Sequence, residues 1–295
     1  MRFNEIGQQL RAYRLESGLR AEEIAARLGV SRAALYRYEK GEVIKLDTVN
    51  RLAELLKISP LSLLGIGVEY YTRPVGYFER LRQLEETAER ILQCTGPICY
   101  LTTTDSYDRA VAAACDEMVT AAQTDRPALR SQIDQLLGIM AARKKMYAAR
   151  RQNIIALVTL SSLRRFLELG VAGALPVSDR ARALGRAAAR TEVGAIATNL
   201  ETEPMGVQFG ILPDAEPSGQ FTILRTRDHA SAAINPFQPD GHPASPLGVA
   251  MVTGADEAIT AHQRAAEAAW RVAIKGPTAA ERVRALLDET PPAAT

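Results

Sequence analysis

Apolar residues in the first 65 or so positions recur every three or four places, in short runs that glycines interrupt. Ile6, Leu10, Tyr13 and Leu15 form one such stripe, closed by Gly18. Ile24, Ala25 and Leu28 form a second, closed by Gly29, and Leu35 with Tyr38 a third, closed by Gly41. Asp47 opens a fourth, with Val49, Leu52, Ala53 and Leu56 on its buried side, and Pro60 starts a last turn through Leu61 and Leu64. This spacing predicts five short amphipathic helices with abrupt ends. Ser31 is placed to cap the third, because its hydroxyl can accept an otherwise orphaned backbone N–H.

The pattern then changes. Residues 65–76 hold glycines and a proline and read as a domain boundary. Tyr77, Leu81, Leu84, Ala88 and Ile91 follow at alternating steps of four and three, which is heptad spacing. That face either pairs with its copy in a second subunit or docks on its own domain. Beyond it, strands are expected at 97–103, 154–160, 173–177, 207–212, 221–224 and 248–252. Helices are expected at 107–123, 127–151, 162–169, 180–190 and 256–274. Such alternation predicts an α/β domain with a parallel or mixed sheet. The expected organisation is a helical domain at 1–67, a linker and dimerisation helix at 68–95, an α/β domain at 96–290, and a disordered tail at 291–295.

Composition narrows the class. The 295 residues are 47% hydrophobic and 24% charged, as in a globular chain with a real core. There is no apolar run long enough to span a bilayer, and the first residues lack signal-peptide order, so the cytoplasm is the expected compartment. Three cysteines, Cys94, Cys99 and Cys115, cannot build a disulfide framework. The formal net charge is only +2, but residues 1–65 carry +3 and the rest −1, so the basic excess lies at the front.

The stretch from Gly18 to Glu42 carries the chemistry. Two helices joined by the tight turn at Gly29 cross at a wide angle, and the second is left free to enter a DNA major groove. Small Ala25 allows close approach, while Val30 and Leu35 fill the space between. Here the sequence resembles the Cro/cI-type (XRE) helix-turn-helix family of transcriptional regulators. The likeness rests on Gly18-Leu19, Glu23-Ile24-Ala25, Leu28-Gly29-Val30-Ser31, Tyr38-Glu39-Lys40-Gly41, Leu46-Asp47-Thr48-Val49 and Leu52-Ala53-Glu54. The resemblance implies that Arg32, Ala33, Ala34 and Arg37 read base edges and that Ser31 and Lys40 lie near phosphates. It also implies that Arg14 pairs with Glu39 to support the reading helix. The sequence departs from the family at Arg20 and Ala21, where threonine and glutamine are usual, so Arg20 is expected to replace a lost phosphate contact. Base reading is chemically sound, since a guanidinium can bond guanine bidentately and an alanine methyl can pack on a thymine methyl.

The remaining residues offer weaker chemistry. His229, His242 and His262 are not at metal-ligand spacing, and no phosphate-binding glycine loop is present, so no metal, cofactor or enzymatic activity is expected. Cys94 and Cys99 are either a redox or metal switch or small buried residues. Arg143, Lys144, Lys145, Arg150 and Arg151 read as a solvated face or, alternatively, a site for an anionic effector or flanking DNA. Trp270 reads as a core anchor. The carboxy-terminal part is loosely similar to phospholipase-D-like sensor domains but lacks their His-x-Lys motif, which implies a domain that binds without hydrolysing. The expected function is a homodimeric regulator of double-stranded DNA controlled by a small-molecule effector. The alternatives are an antitoxin-like protein that grips a protein partner, and a DNA-binding enzyme.

Overall fold

The computed structural model describes residues 3–94, 96–123, 125–213, 219–238, 242–244 and 248–290. The expected tail at 291–295 lies outside these residues. Five helices open the chain: α1 (Phe3–Ser17), α2 (Ala21–Leu28), α3 (Arg32–Glu39), α4 (Leu46–Leu56) and α5 (Pro60–Leu63). Each puts at least one apolar residue fully inside, Leu10, Ile24, Leu35, Leu52 and Leu63 among them. The rest of the chain folds around a seven-stranded mixed sheet of order β1-β7-β6-β5-β2-β3-β4.

The parallel part is β2 (Arg90–Cys94), β3 (Asn153–Thr159) and β4 (Val207–Leu212). Helices α7 (Asp105–Ala121) and α8 (Arg126–Arg150) make the first crossover, and α9 (Leu160–Leu169) and α10 (Asp179–Thr202) the second. Strands β5 (Phe221–Arg225), β6 (Ala230–Ile234), β7 (Ala250–Thr253) and β1 (Val68–Tyr71) are antiparallel to their neighbours. Side chains alternate between the two faces of a strand. Ile91, Ile154, Ala156, Phe209 and Leu224 therefore enter the main core, while Cys94, Leu157 and Leu212 form a second cluster. That cluster is closed by Trp270 of α11 (Asp256–Val272). Helix α12 (Gly276–Glu289) packs against α10. Among the described residues no helix is long and apolar enough to cross a membrane.

The heptad-spaced stretch takes the second of its two readings. Helix α6 (Pro74–Thr87) lies between α1 and α8 of its own chain. Tyr77, Leu81, Ala88 and Ile91 are buried there, Leu84 is partly buried, and Ile91 belongs to β2 rather than to the helix. A face already covered intramolecularly is not free to pair with a second subunit, so those five residues are corrected from a dimer seam to core. Residues 68–95, expected as a linker, supply β1, α6 and β2 instead.

Two expected strands are also absent. Residues 97–103 form a buried loop with a 3-10 turn at Tyr100–Thr102, and Thr102 N–H donates to the Cys99 carbonyl at 3.0 Å. Residues 173–177 leave a turn at 173–174 and run on without pairing into a strand. Short apolar runs have no period that separates a strand from a buried turn. Strand β6 and helix α12 were not anticipated, and α10 runs on to Thr202.

The helical domain is fastened to the sheet through polar contacts inside a continuous core. Tyr13 of α1 stacks on Tyr71 of β1 with ring centroids 5.4 Å apart. Buried Glu69 accepts hydrogen bonds from Gln9 (2.8 Å), the Tyr71 hydroxyl (2.6 Å) and the Arg80 guanidinium (2.9 Å). Fully buried Glu79 of α6 is paired with Arg11 of α1 at 2.8 Å and with Arg82 at 3.0 Å.

Candidate nucleic-acid interface

Helix α2 must stop where the chain turns, and Gly29 stops it with φ +70°, a left-handed conformation that side chains disfavour. Val30 N–H then closes on the Ala25 carbonyl at 3.0 Å. One residue later the Ser31 hydroxyl accepts the Ala34 N–H at 3.1 Å and starts α3. Glu23 reaches back to accept the Arg20 N–H at 2.8 Å, which fixes the start of α2 in the same way.

At its far end α3 is held by α1. A Cβ on Gly7 would lie 2.5 Å from the Tyr38 carbonyl oxygen and 2.8 Å from that of Glu39, so only glycine permits this approach. Arg14 of α1 then grips Glu39 with two bonds, Nε to Oε1 at 2.5 Å and Nη2 to Oε2 at 3.0 Å. The Glu39 side chain is 3% exposed and that of Arg14 13%, so the pair is largely shielded from water. Burial disfavours the Arg14 charge, but the Glu39 hydrogen bonds and charge outweigh it and raise the guanidinium pKa. The pair expected from the resemblance is formed.

With Leu35 and Glu39 turned inward, the outward face of α3 shows Arg32, Ala33, Tyr36, Arg37 and Lys40, with Ser31 at its start. Ala34 is the exception among the expected base readers. It is buried against the helical core, so its methyl cannot reach a base, and only Ala33 presents one. Tyr36 was missed by sequence reading. Its signal was helical phase: it lies four residues from Arg32 and four from Lys40, between the two arginines.

Both arginines expected to read bases sit in exposed ion pairs. Arg32 contacts Glu22 at 2.7 Å and lies 5.3 Å over the Tyr36 ring, and Arg37 contacts Glu42 at 2.7 Å. Their side chains remain 59% and 61% exposed. Solvent screens such pairs, so an incoming base or phosphate can replace the carboxylate at little cost. Arg20 is exposed and, with Arg14 and Tyr36, lines a cleft of about 460 Å³ whose other wall includes Gln132 and Gln135 of α8.

The remaining sequence candidates are brought into other roles. Cys94, Cys99 and Cys115 are free, buried thiols, and burial pushes the first two up to about 11 and Cys115 up to about 12. Thiols so raised are poor nucleophiles and poor ligands. Among the described residues no cluster of potential metal ligands occurs. His242 is buried with Nε2 3.8 Å from the Cys115 sulfur, and desolvation lowers its pKa to about 4. Of the basic cluster, Arg143 is no solvated side chain. It is buried against Glu85 at 2.7 Å, with its guanidinium 5.2 Å from the Phe78 ring centroid and 5.1 Å from that of Tyr100. Lys144 pairs with Asp108. Trp270 is only partly buried and forms the wall of a groove as well as packing on the sheet.

Comparison with known proteins agrees with this geometry. Residues 5–63 match the model of a family described as a helix-turn-helix domain. The chain is also similar to a protein of Pyrococcus horikoshii named "Putative HTH-type transcriptional regulatory protein", with 32% identity over 144 residues. That alignment covers 45% of this chain and 45% of the Pyrococcus protein, so the chain spans under half the length of the relative. No solved structure matches the chain significantly. The polypeptide thus joins an amino-terminal helix-turn-helix to an α/β domain with a mixed sheet.

Proposed function

We propose that this protein is a sequence-specific, DNA-binding transcriptional regulator of the Cro/cI type, working in the cytoplasm as a homodimer under the control of a small-molecule effector. The observation that carries the reading is the outward face of α3. It presents Arg32, Ala33, Tyr36, Arg37 and Lys40 to solvent, while the same helix is fixed from behind by the largely shielded Arg14–Glu39 pair. The helix-turn-helix family match and the Pyrococcus relative support it. Two copies would place their α3 helices in successive major grooves, about 34 Å apart. Because α6 is buried in its own chain, the dimer would form through another surface. The α/β domain is read as a binding unit rather than a catalytic one.

Binding-site selection from random duplexes tests the proposal. The full chain should enrich a paired half-site. Arg37→Ala and Arg32→Ala should each lose roughly 1–3 kcal/mol of discrimination, at different base pairs. Lys40→Ala should weaken all sequences alike and lower the salt slope by about 1. A selection that enriches nothing, or one that none of these substitutions alters, overturns it.

A further inference from the structure

The face of the sheet that α11 covers is only partly roofed. At the carboxy-terminal ends of β3 and β4, α11 sits so close that a Cβ on Gly210 would come within 2.9 Å of Trp270. Towards Arg90 and Asn153, which start β2 and β3, and Gly206, just before β4, a groove of about 510 Å³ stays open. Its floor is a row in register, with Leu92 directly opposite Ile155 on one side and Ile223 on the other. Ala266 and Trp270 form the wall.

The end of that floor carries an unusual pairing. Arg90 and Arg225 are direct cross-strand partners on the groove face. Like charges placed opposite each other destabilise a sheet. Among the described residues neither arginine has a carboxylate within ion-pair distance, and Arg225 donates to the neutral Gln263 amide oxygen at 2.7 Å. Glu267, also on the wall, accepts from Gln263 Nε2 at 2.9 Å, which leaves two cations and one anion around the opening.

We propose that this groove binds a small amphipathic monocarboxylate. Its acyl or aryl body lies on Leu92, Ile155 and Ile223, and its carboxylate sits between Arg90 and Arg225. The volume falls in the range of small-molecule sites, with a mainly apolar lining and a few converging polar groups. A carboxylate matches a guanidinium fork and relieves the repulsion between the two arginines. Glu267 cancels one charge, so a single anionic group fits better than a phosphate dianion. The proposal deepens the effector reading and rests on it for any consequence at DNA, while occupancy of the groove is measurable by itself.

Trp270 is the chain's single tryptophan, so its emission reports the groove directly. The full chain is titrated with octanoate and 4-phenylbutyrate, and with octan-1-ol and 4-phenylbutan-1-ol as uncharged matches. Saturable changes are expected with both acids, and the alcohols should bind roughly tenfold or more weakly. Arg90→Gln and Arg225→Gln should weaken acid binding by a similar factor. Both residues are exposed, so the variants should fold, and unchanged circular dichroism would verify it. Equal affinity for acid and alcohol, indifference to both substitutions, or no saturable change overturns the site. So does Trp270 emission that shifts with self-association, followed by sedimentation at rising protein concentration, when no acid is present. DNA affinity is measured separately: arginine-dependent acid binding that leaves it unchanged supports the groove while removing the effector reading.

Discussion

The chain uses the same chemical pair, an arginine and a glutamate, in two opposite settings. In the body, Arg143 and Glu85 are buried together at 2.7 Å, with side chains 5% and 2% exposed. On α3, Arg37 and Glu42 are also 2.7 Å apart, yet both stand largely in solvent. Distance does not distinguish them; the dielectric surroundings do. A buried pair cannot exchange partners without leaving a naked charge, so it fixes geometry. An exposed pair exchanges readily, so it keeps a guanidinium available. Arg14–Glu39 lies between the two and joins them, because a shielded pair orients the helix that carries the exposed ones.

The largest expected effect comes from breaking the buried kind. Glu85→Ala strands Arg143 between Phe78 and Tyr100 and should cost about 3–5 kcal/mol in urea unfolding. Next is a buried group that stays neutral. The His242 pKa lies near 4 because burial disfavours its charge, although a backbone hydrogen bond with Val111 opposes the shift. Free imidazole titrates near 6.5, so between these values the unfolded chain binds the extra proton. Stability should therefore fall as pH drops from about 6.5 towards 4, by about 2–3 kcal/mol from this residue. The urea midpoint of His242→Gln, followed over the same range, should fall less steeply than that of the wild type.

Glu39→Ala should cost about 1–3 kcal/mol of stability. It should also weaken DNA binding under conditions where the chain remains fully folded, since α3 loses its brace. Titration of a selected duplex at low denaturant checks this, and equal loss in folding with unchanged DNA affinity would refute the orienting role. The smallest effect belongs to the exposed pair. Glu22→Gln frees Arg32, and duplex affinity should rise slightly while the urea midpoint of unfolding stays where it is in the wild type.

The helix-turn-helix was legible because its determinants are local. Gly29 ends one helix, Ser31 starts the next, and the apolar period assigns the inward face, all within about twenty residues. Even there, Ala34 was placed outward when the packing around Leu35 turns it in, and Tyr36 was overlooked. Family position names a stretch, but exposure depends on helical phase against a particular core. The fit of Gly7 under the end of α3 left no trace in the pattern, because it joins positions more than thirty residues apart.

From the sequence alone came the five opening helices, the change to alternating strands and helices, and the chemistry available to α3. Short-range periodicity and capping determine these, and they act before the chain is compact. Only the tertiary structure decided that the heptad face of α6 is covered by α1 and α8, that Arg143 is interior, and that Arg90 stands opposite Arg225 beside Trp270. Each of those outcomes depends on strand order and on which elements meet across the fold, and no local pattern of apolar and polar residues encodes that choice.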